Sequence, residues 1–355
     1  MIRALDHVEA MAPYALADLG GAGTVSLAQN ESAFAPSPLA LNAGKAVLEQ
    51  MPLYPDPDWP DLRAAIAEIH ALNPDNILCG AGSMELIGCL IRAFTGPGHR
   101  VLGTEYGYAY VASAAAQVQV DYVKAREIDL TISVDEILKS VHPQTRIVFL
   151  CNPGNPTGTV ITNAEILRLR SGLPDDVMLV VDQAYAEFSD TRHNPAEVFA
   201  LVGHGNTVVM RTFSKAYGLA GARVGWGYFP SRIGAEVRKI LNPNNVSIPS
   251  QAMATAAMRD QDHMKGMVER TAKIRDSFAS ECRALGLCVP ESHTNFVLLR
   301  FADARAAQMS DAALRKSGLL MRGMDGYGLS DCLRATICDE ATMQRCVTIL
   351  KGALT

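Results

Sequence analysis

Short apolar runs alternate with stretches of helical spacing along the first two thirds of the chain. The runs at 76–79, 100–104, 146–151, 177–182, 207–212 and 223–228 read as strands. The stretches 61–72, 84–94 and 163–171 carry apolar residues three and four positions apart and predict amphipathic helices. Residues 177–181 are all apolar, as expected of a strand buried on both faces. This alternation predicts an α/β fold, a mostly parallel sheet covered by helices, with ligands held just beyond the carboxyl ends of the strands. After about residue 240 the texture changes. Two helices, 250–259 and 262–285, precede three short strands at 296–301, 319–324 and 332–337, with helices between and after them. The expected organisation is therefore an N-terminal arm (1–40), a large ligand-binding domain (41–242) and a smaller α+β C-terminal domain (243–355).

Composition narrows the class of partner. Hydrophobic residues make up 48% and charged residues 19% of 355, a globular composition. Thirty-two basic against thirty-seven acidic residues give a net charge of −5, which disfavours nucleic acid or an anionic membrane as the main partner. The eight cysteines form no CxxC pair and several sit in apolar runs, so reduced, buried thiols are expected. The eight histidines show no metal-binding spacing. The first residues carry charges where a signal peptide needs an apolar core, and no run is long and apolar enough to span a bilayer. A cytoplasmic protein acting on small molecules is the expectation.

Chemistry concentrates where strands end. In Arg211-Thr212-Phe213-Ser214-Lys215 a lysine follows a strand directly, between hydroxyls, with Arg223 eight residues on. Burial there would lower the amine's pKa and make it a nucleophile toward carbonyls, while Thr212, Ser214 and Arg223 would offer an anion site. The segment Asn152-Pro153-Gly154-Asn155-Pro156-Thr157-Gly158 reads equally as a plain turn or as a loop presenting the Asn155 amide over the strand ends. Asp182 closes its apolar run with a carboxylate that needs a cation, and Tyr185 reaches the same region.

Asn155, Asp182, Tyr185, Lys215 and Arg223, with gaps of 27, 3, 30 and 8, resemble the site of the pyridoxal-phosphate aminotransferases of the aspartate aminotransferase fold. The resemblance covers nearly the whole chain and implies fold type I. Within that family Leu27-Ala28-Gln29-Asn30-Glu31, Tyr54-Pro55-Asp56-Pro57-Asp58 and Tyr327–Arg334 resemble the histidinol-phosphate branch. The resemblance implies that Lys215 holds pyridoxal 5′-phosphate and moves the substrate proton, that Asp182 pairs with the ring nitrogen, and that Asn155 and Tyr185 bond the ring's phenolic oxygen. Gly82, Ser83 and Met84, between a strand and a helix, would cradle the phosphate together with Thr212, Ser214 and Arg223. Tyr106 is expected to stack on the ring, with Tyr108 and Tyr110 as alternatives.

Further implications concern substrate and assembly. Arg334 matches the arginine that grips substrate carboxylates, and Arg322 would assist with substrate anions. Asn30 and Tyr14 would close over the substrate, although Tyr14 reads equally as a packing residue on the arm. Tyr54 would reach the phosphate of a neighbouring subunit, implying a homodimer with shared sites. The expected reaction is ping-pong transfer of an amino group from histidinol phosphate or an aromatic amino acid to 2-oxoglutarate. A decarboxylase or racemase resembling the threonine-phosphate decarboxylases is the alternative, since it would keep the same lysine and aspartate. Two positions depart from the family pattern: Met84 stands where an acidic or amide residue is usual, and Gln183 where glutamate is common.

Overall fold

The computed structural model describes residues 2–13, 18, 20, 21, 23–189 and 194–354. Thirteen strands occur among them. They are β1 (Val25–Leu27), β2 (Ile77–Gly80), β3 (Arg100–Thr104), β4 (Asp121–Ala125), β5 (Glu127–Ile128), β6 (Thr131–Ile132) and β7 (Thr145–Cys151). The rest are β8 (Met178–Asp182), β9 (Thr207–Thr212), β10 (Gly225–Tyr228), β11 (Phe296–Arg300), β12 (Leu319–Met324) and β13 (Leu329–Thr336). Seven form one sheet in the order β2-β10-β9-β8-β7-β3-β4. Strands β4, β3, β7, β8 and β9 pair in parallel, and β10 runs antiparallel to both neighbours. Its buried central strands need helices on both faces, and helices such as Pro60–His70 and Ser83–Phe94 supply Leu62, Ile66, Leu86 and Leu90 to that core.

The six expected strands of the large sheet begin and end within two residues of their expected positions. Arg223 is the exception that matters. It has left-handed backbone (φ 53°) and stands before β10 instead of inside it, which frees its side chain for the site. The helix Pro60–His70 stops short of the expected residue 72 because Ala71 turns left-handed (φ 54°). Strand β4 was not expected, because its Asp-Tyr-Val-Lys-Ala sequence lies at the sheet's edge, where one side faces solvent and no apolar run is needed.

The second sheet has the order β1-β12-β13-β11. Strand β1 comes from the expected arm and pairs in parallel with β12, Val25 opposite Leu319 and Leu27 opposite Met321. The arm thus contributes to the smaller sheet's structure and core, in which Leu27 packs with Phe278, Val297 and Leu333. The helix Ile248–Arg259 follows the expected boundary at 242/243, yet its Ala254, Ala257 and Met258 join the larger core. It meets the helix Pro38–Ala46 so closely that a side chain on Gly44 would strike Met253. Six of the cysteines are buried, but Cys288 is exposed and Cys338 half-buried, a departure from uniformly buried thiols. Among the described residues no helix is long and apolar enough to cross a membrane.

Candidate active site

A cavity of about 540 Å³ opens where the carboxyl ends of β8 and β9 face the smaller sheet. Its wall gathers Asn30, Gly82, Ser83, Met84, Asn155, Asp182, Tyr185, Thr212, Ser214, Lys215, Arg223, Arg322 and Arg334 from the sequence-expected residues. Thirteen positions spread from residue 30 to residue 334 therefore converge on one space.

Asp182 is the last residue of β8 and is 3% exposed. Burial pushes its carboxyl pKa up to about 7, against the opposing pull of the Ala184 amide, which donates to Oδ1 at 3.1 Å. Lys215 sits one turn beyond β9. Burial drives its ammonium pKa down to about 7, and the positive charge of Arg334 adds to the effect. Its Nζ donates to the carbonyls of Asn30 (2.9 Å) and Gln29 (3.2 Å), and lies 5.7 Å from the Tyr185 ring centre. Desolvation thus leaves a reactive amine and a proton-holding carboxyl in the same cavity at neutral pH.

At one pole the helix Ser83–Phe94 begins without a side-chain cap, so the Ser83 and Met84 amide donors are left for an anion, while the Glu85 amide donates to Gly82 O at 3.3 Å. Glycine is required there. A Cβ on Gly82 (φ 80°) would come within 2.6 Å of the Arg223 guanidinium, and one on Gly225 would collide with the Ser83 amide. Thr212 Oγ1 accepts the Ser214 amide at 3.1 Å, and Arg223 Nη1 is anchored on the Ala220 carbonyl at 2.8 Å. Glu85 turns away from the cavity to accept from Ala81 N and Asn245 Nδ2 at 2.7 Å each. The opening turn is thus braced by Glu85, one position after Met84.

The opposite pole is basic. Arg322 on β12 and Arg334 on β13 are register partners, and both line the cavity. Arg334 is 6% exposed, donates to Ala28 O at 2.8 Å and Asn155 Oδ1 at 2.6 Å, and lies over the Phe296 ring at 5.2 Å. Between the poles, Asn30 Nδ2 donates to the Tyr185 hydroxyl at 2.9 Å. Burial raises the Tyr185 phenol pKa, so the hydroxyl stays protonated at neutral pH.

These contacts differ from the sequence expectations at Tyr106. Tyr106 is absent from the wall and Tyr108 is present. The Tyr106 amide donates to Glu127, and its ring packs against a side cluster with Leu130 and Leu298. Asn30, expected to close over substrate, lines the cavity, is 2% exposed and also braces Tyr185, Thr336 and Lys215. Tyr54, expected at the phosphate of a neighbouring subunit, is 86% exposed and outside this chain's own wall. Tyr14 lies outside the described residues. Sequence reasoning also passed over Gln29, Glu31, Cys151 and Tyr327 as wall residues. For Gln29 and Glu31 a signal existed, their adjacency to Asn30. For Cys151 the signal was its place at the end of a strand next to Asp182's strand.

A family model described as aminotransferase class I and II matches residues 22–350. The chain belongs to the class I and II aminotransferases. Among proteins similar to this aminotransferase, the histidinol-phosphate aminotransferase of Ruegeria pomeroyi is 41% identical over 334 residues, covering 94% of this chain and 92% of the relative. That of Paramagnetospirillum magneticum is 41% identical over 92% of this chain and 91% of its own. The crystal structure of histidinol-phosphate aminotransferase from Sinorhizobium meliloti in complex with pyridoxal-5′-phosphate superposes with a TM-score of 0.87 at 30% identity, covering 93% of this chain and 90% of that one. Thermus thermophilus aspartate aminotransferase with maleate shares the fold at 18% identity, with a TM-score of 0.85 and coverage of 99% and 100%. This is a fold type I enzyme whose cofactor is pyridoxal phosphate. The wall suits that group: a near-neutral amine, a buried carboxyl, and an uncapped helix start whose glycines leave room for a phosphate beside Arg223.

Proposed function

We propose that this aminotransferase takes the amino group from histidinol phosphate and delivers it to 2-oxoglutarate in a ping-pong cycle. The observation that carries the reading is the pair Arg322 and Arg334, register partners on adjacent strands that line the same cavity as Lys215. Two guanidinium forks facing one space suit a phosphate monoester, and equally the carboxylate of the returning 2-oxo acid. The names of the relatives at 41% identity support the same donor.

The cofactor supplies an aldehyde that takes up the amine and a ring that delocalises the electron pair left when the substrate's Cα proton departs. The chain does the rest. Lys215 Nζ, with its pKa near 7, accepts that proton and returns it on the other side of the exchange. The backbone carbonyls of Gln29 and Asn30 hold the amine when it is free. Asp182 provides the carboxylate for the ring nitrogen, and Tyr185, oriented by Asn30, a hydroxyl for the ring oxygen. Asn155 links the Arg334 guanidinium to the cofactor's side of the cavity. Ser83, Met84, Thr212, Ser214 and Arg223 take the phosphate, and Tyr108 is the aromatic ring available to stack.

The reading extends to assembly. Leu39, Leu41, Leu48, Met51, Leu53 and Tyr54 are all exposed within one short stretch. A second copy of the chain covering them in a homodimer would bury that apolar surface and present Tyr54 to its cradle. The cytoplasm, where the half-buried and exposed thiols stay reduced, is the matching compartment.

Histidinol phosphate added to the holoenzyme without acceptor should abolish the bound cofactor's visible absorbance, and 2-oxoglutarate should restore it. Absorbance that responds to phenylalanine but not to histidinol phosphate would move the substrate to the aromatic amino acids. Carbon dioxide released from an amino-acid substrate would favour the decarboxylase alternative.

A further inference from the structure

Behind the large sheet, opposite the cofactor cradle, lies a buried ion pair outside the cavity wall. Arg211 Nη1 meets Glu187 Oε1 at 2.9 Å, with both side chains less than a tenth exposed. The Arg211 guanidinium lies over the Phe199 ring at 5.4 Å, and Phe199 stacks on Trp226 at 5.8 Å. His70 closes the group 5.3 Å from Trp226. Burial and the charge of Arg211 push its pKa down to about 3, so it stays neutral. Register makes the location exact in chemical terms. Arg211 is opposite Trp226 across β9 and β10, and the next pair, Thr212 and Gly225, belongs to the cradle on the other face.

We propose that Glu187 and Arg211 are positioning residues for the reaction. Glu187 lies two residues beyond Tyr185 in the turn that follows Asp182, and Arg211 lies four residues before Lys215. The pair therefore fastens the segment carrying Asp182 and Tyr185 to the strand end carrying Thr212, Ser214 and Lys215, and sets the span in which the cofactor ring must sit. Its geometry is that of a guide more than a stabiliser. The contact is a single bond, not a fork, and Arg211 Nε is buried without a hydrogen-bond partner. An ion pair of that kind recovers little of its desolvation cost, and apolar side chains of similar volume would fill the space as stably.

The full-length holoenzyme with Glu187→Leu and Arg211→Met together should keep the wild-type Tm. It should bind pyridoxal phosphate about tenfold more weakly, show an altered visible circular dichroism of the bound cofactor, and lose kcat by about tenfold or more with KM for the amino donor within about twofold. A double variant that regains Tm, cofactor affinity, dichroism and kcat together would reduce the pair to filler and overturn the proposal. If that variant does not fold, the isosteric Glu187→Gln decides. Weaker cofactor binding with altered dichroism supports the guide, and values within about twofold of wild type overturn it.

Discussion

The two sheets meet at one cavity but build their halves of it in opposite ways. The seven-stranded sheet delivers its residues from loops just past strand ends: Asp182 closes β8, Lys215 follows β9, and Ser83 opens the helix after β2. The four-stranded sheet delivers Arg322 and Arg334 from within strands, facing each other across β12 and β13. Strand ends can hold a fixed ligand because backbone donors and helix starts converge there. A strand interior presents side chains at set spacing, which suits an anion that arrives and leaves. On this account the first region holds the cofactor and runs its chemistry, and the second selects the substrate.

The sharpest break would come at Lys215. Lys215→Ala should lower turnover by roughly 10⁴-fold or more while the protein still folds, and steady-state assays that find retained transamination would remove the large sheet's role in proton transfer. Asp182→Asn comes next, with a loss of about 10²–10³-fold in the limiting rate and little change in substrate half-saturation, read by stopped-flow absorbance. The third effect is in pH. Burial brings the Lys215 pKa down to about 7, so the free amine dominates above that value. Capture of pyridoxal phosphate by the cofactor-free protein should accelerate about tenfold between pH 6 and 8 and then level off, whereas an ordinary lysine would keep accelerating toward pH 10. The smallest effect separates two tyrosines. Tyr108→Leu should weaken cofactor binding by about three- to tenfold in a fluorescence titration, and Tyr106→Leu should leave it unchanged.

The same contrast explains what could be read from the chain alone. The large sheet was legible because its central strands are largely apolar and chemically distinctive residues stand at or near their ends: Asp182 closes β8, Lys215 follows β9 and Arg223 precedes β10. The edge strand β4 was not, because half-solvated edges need no apolar pattern. Tyr106 and Tyr108 could not be told apart in Tyr-Gly-Tyr-Ala-Tyr, since the choice depends on the Glu127 carboxylate that captures the Tyr106 amide from strand β5, 21 residues on. Strand β1 was hidden for a related reason: three residues pair with a strand nearly 300 positions away, and no local signal marks that contact. The brace that Asn30 gives to Tyr185, and the grip of Asn155 on Arg334, likewise join segments that only the folded chain brings together.

The division of labour is tested most directly by the dependence of cofactor absorbance change on histidinol phosphate concentration in Arg322→Leu. Loss of one charged contact predicts half-saturation raised about 10–100-fold, with a limiting rate and cofactor affinity within about threefold of the parent enzyme. Unmoved half-saturation with a collapsed limiting rate would contradict the account, because the smaller sheet would then be part of the chemistry it is said only to supply.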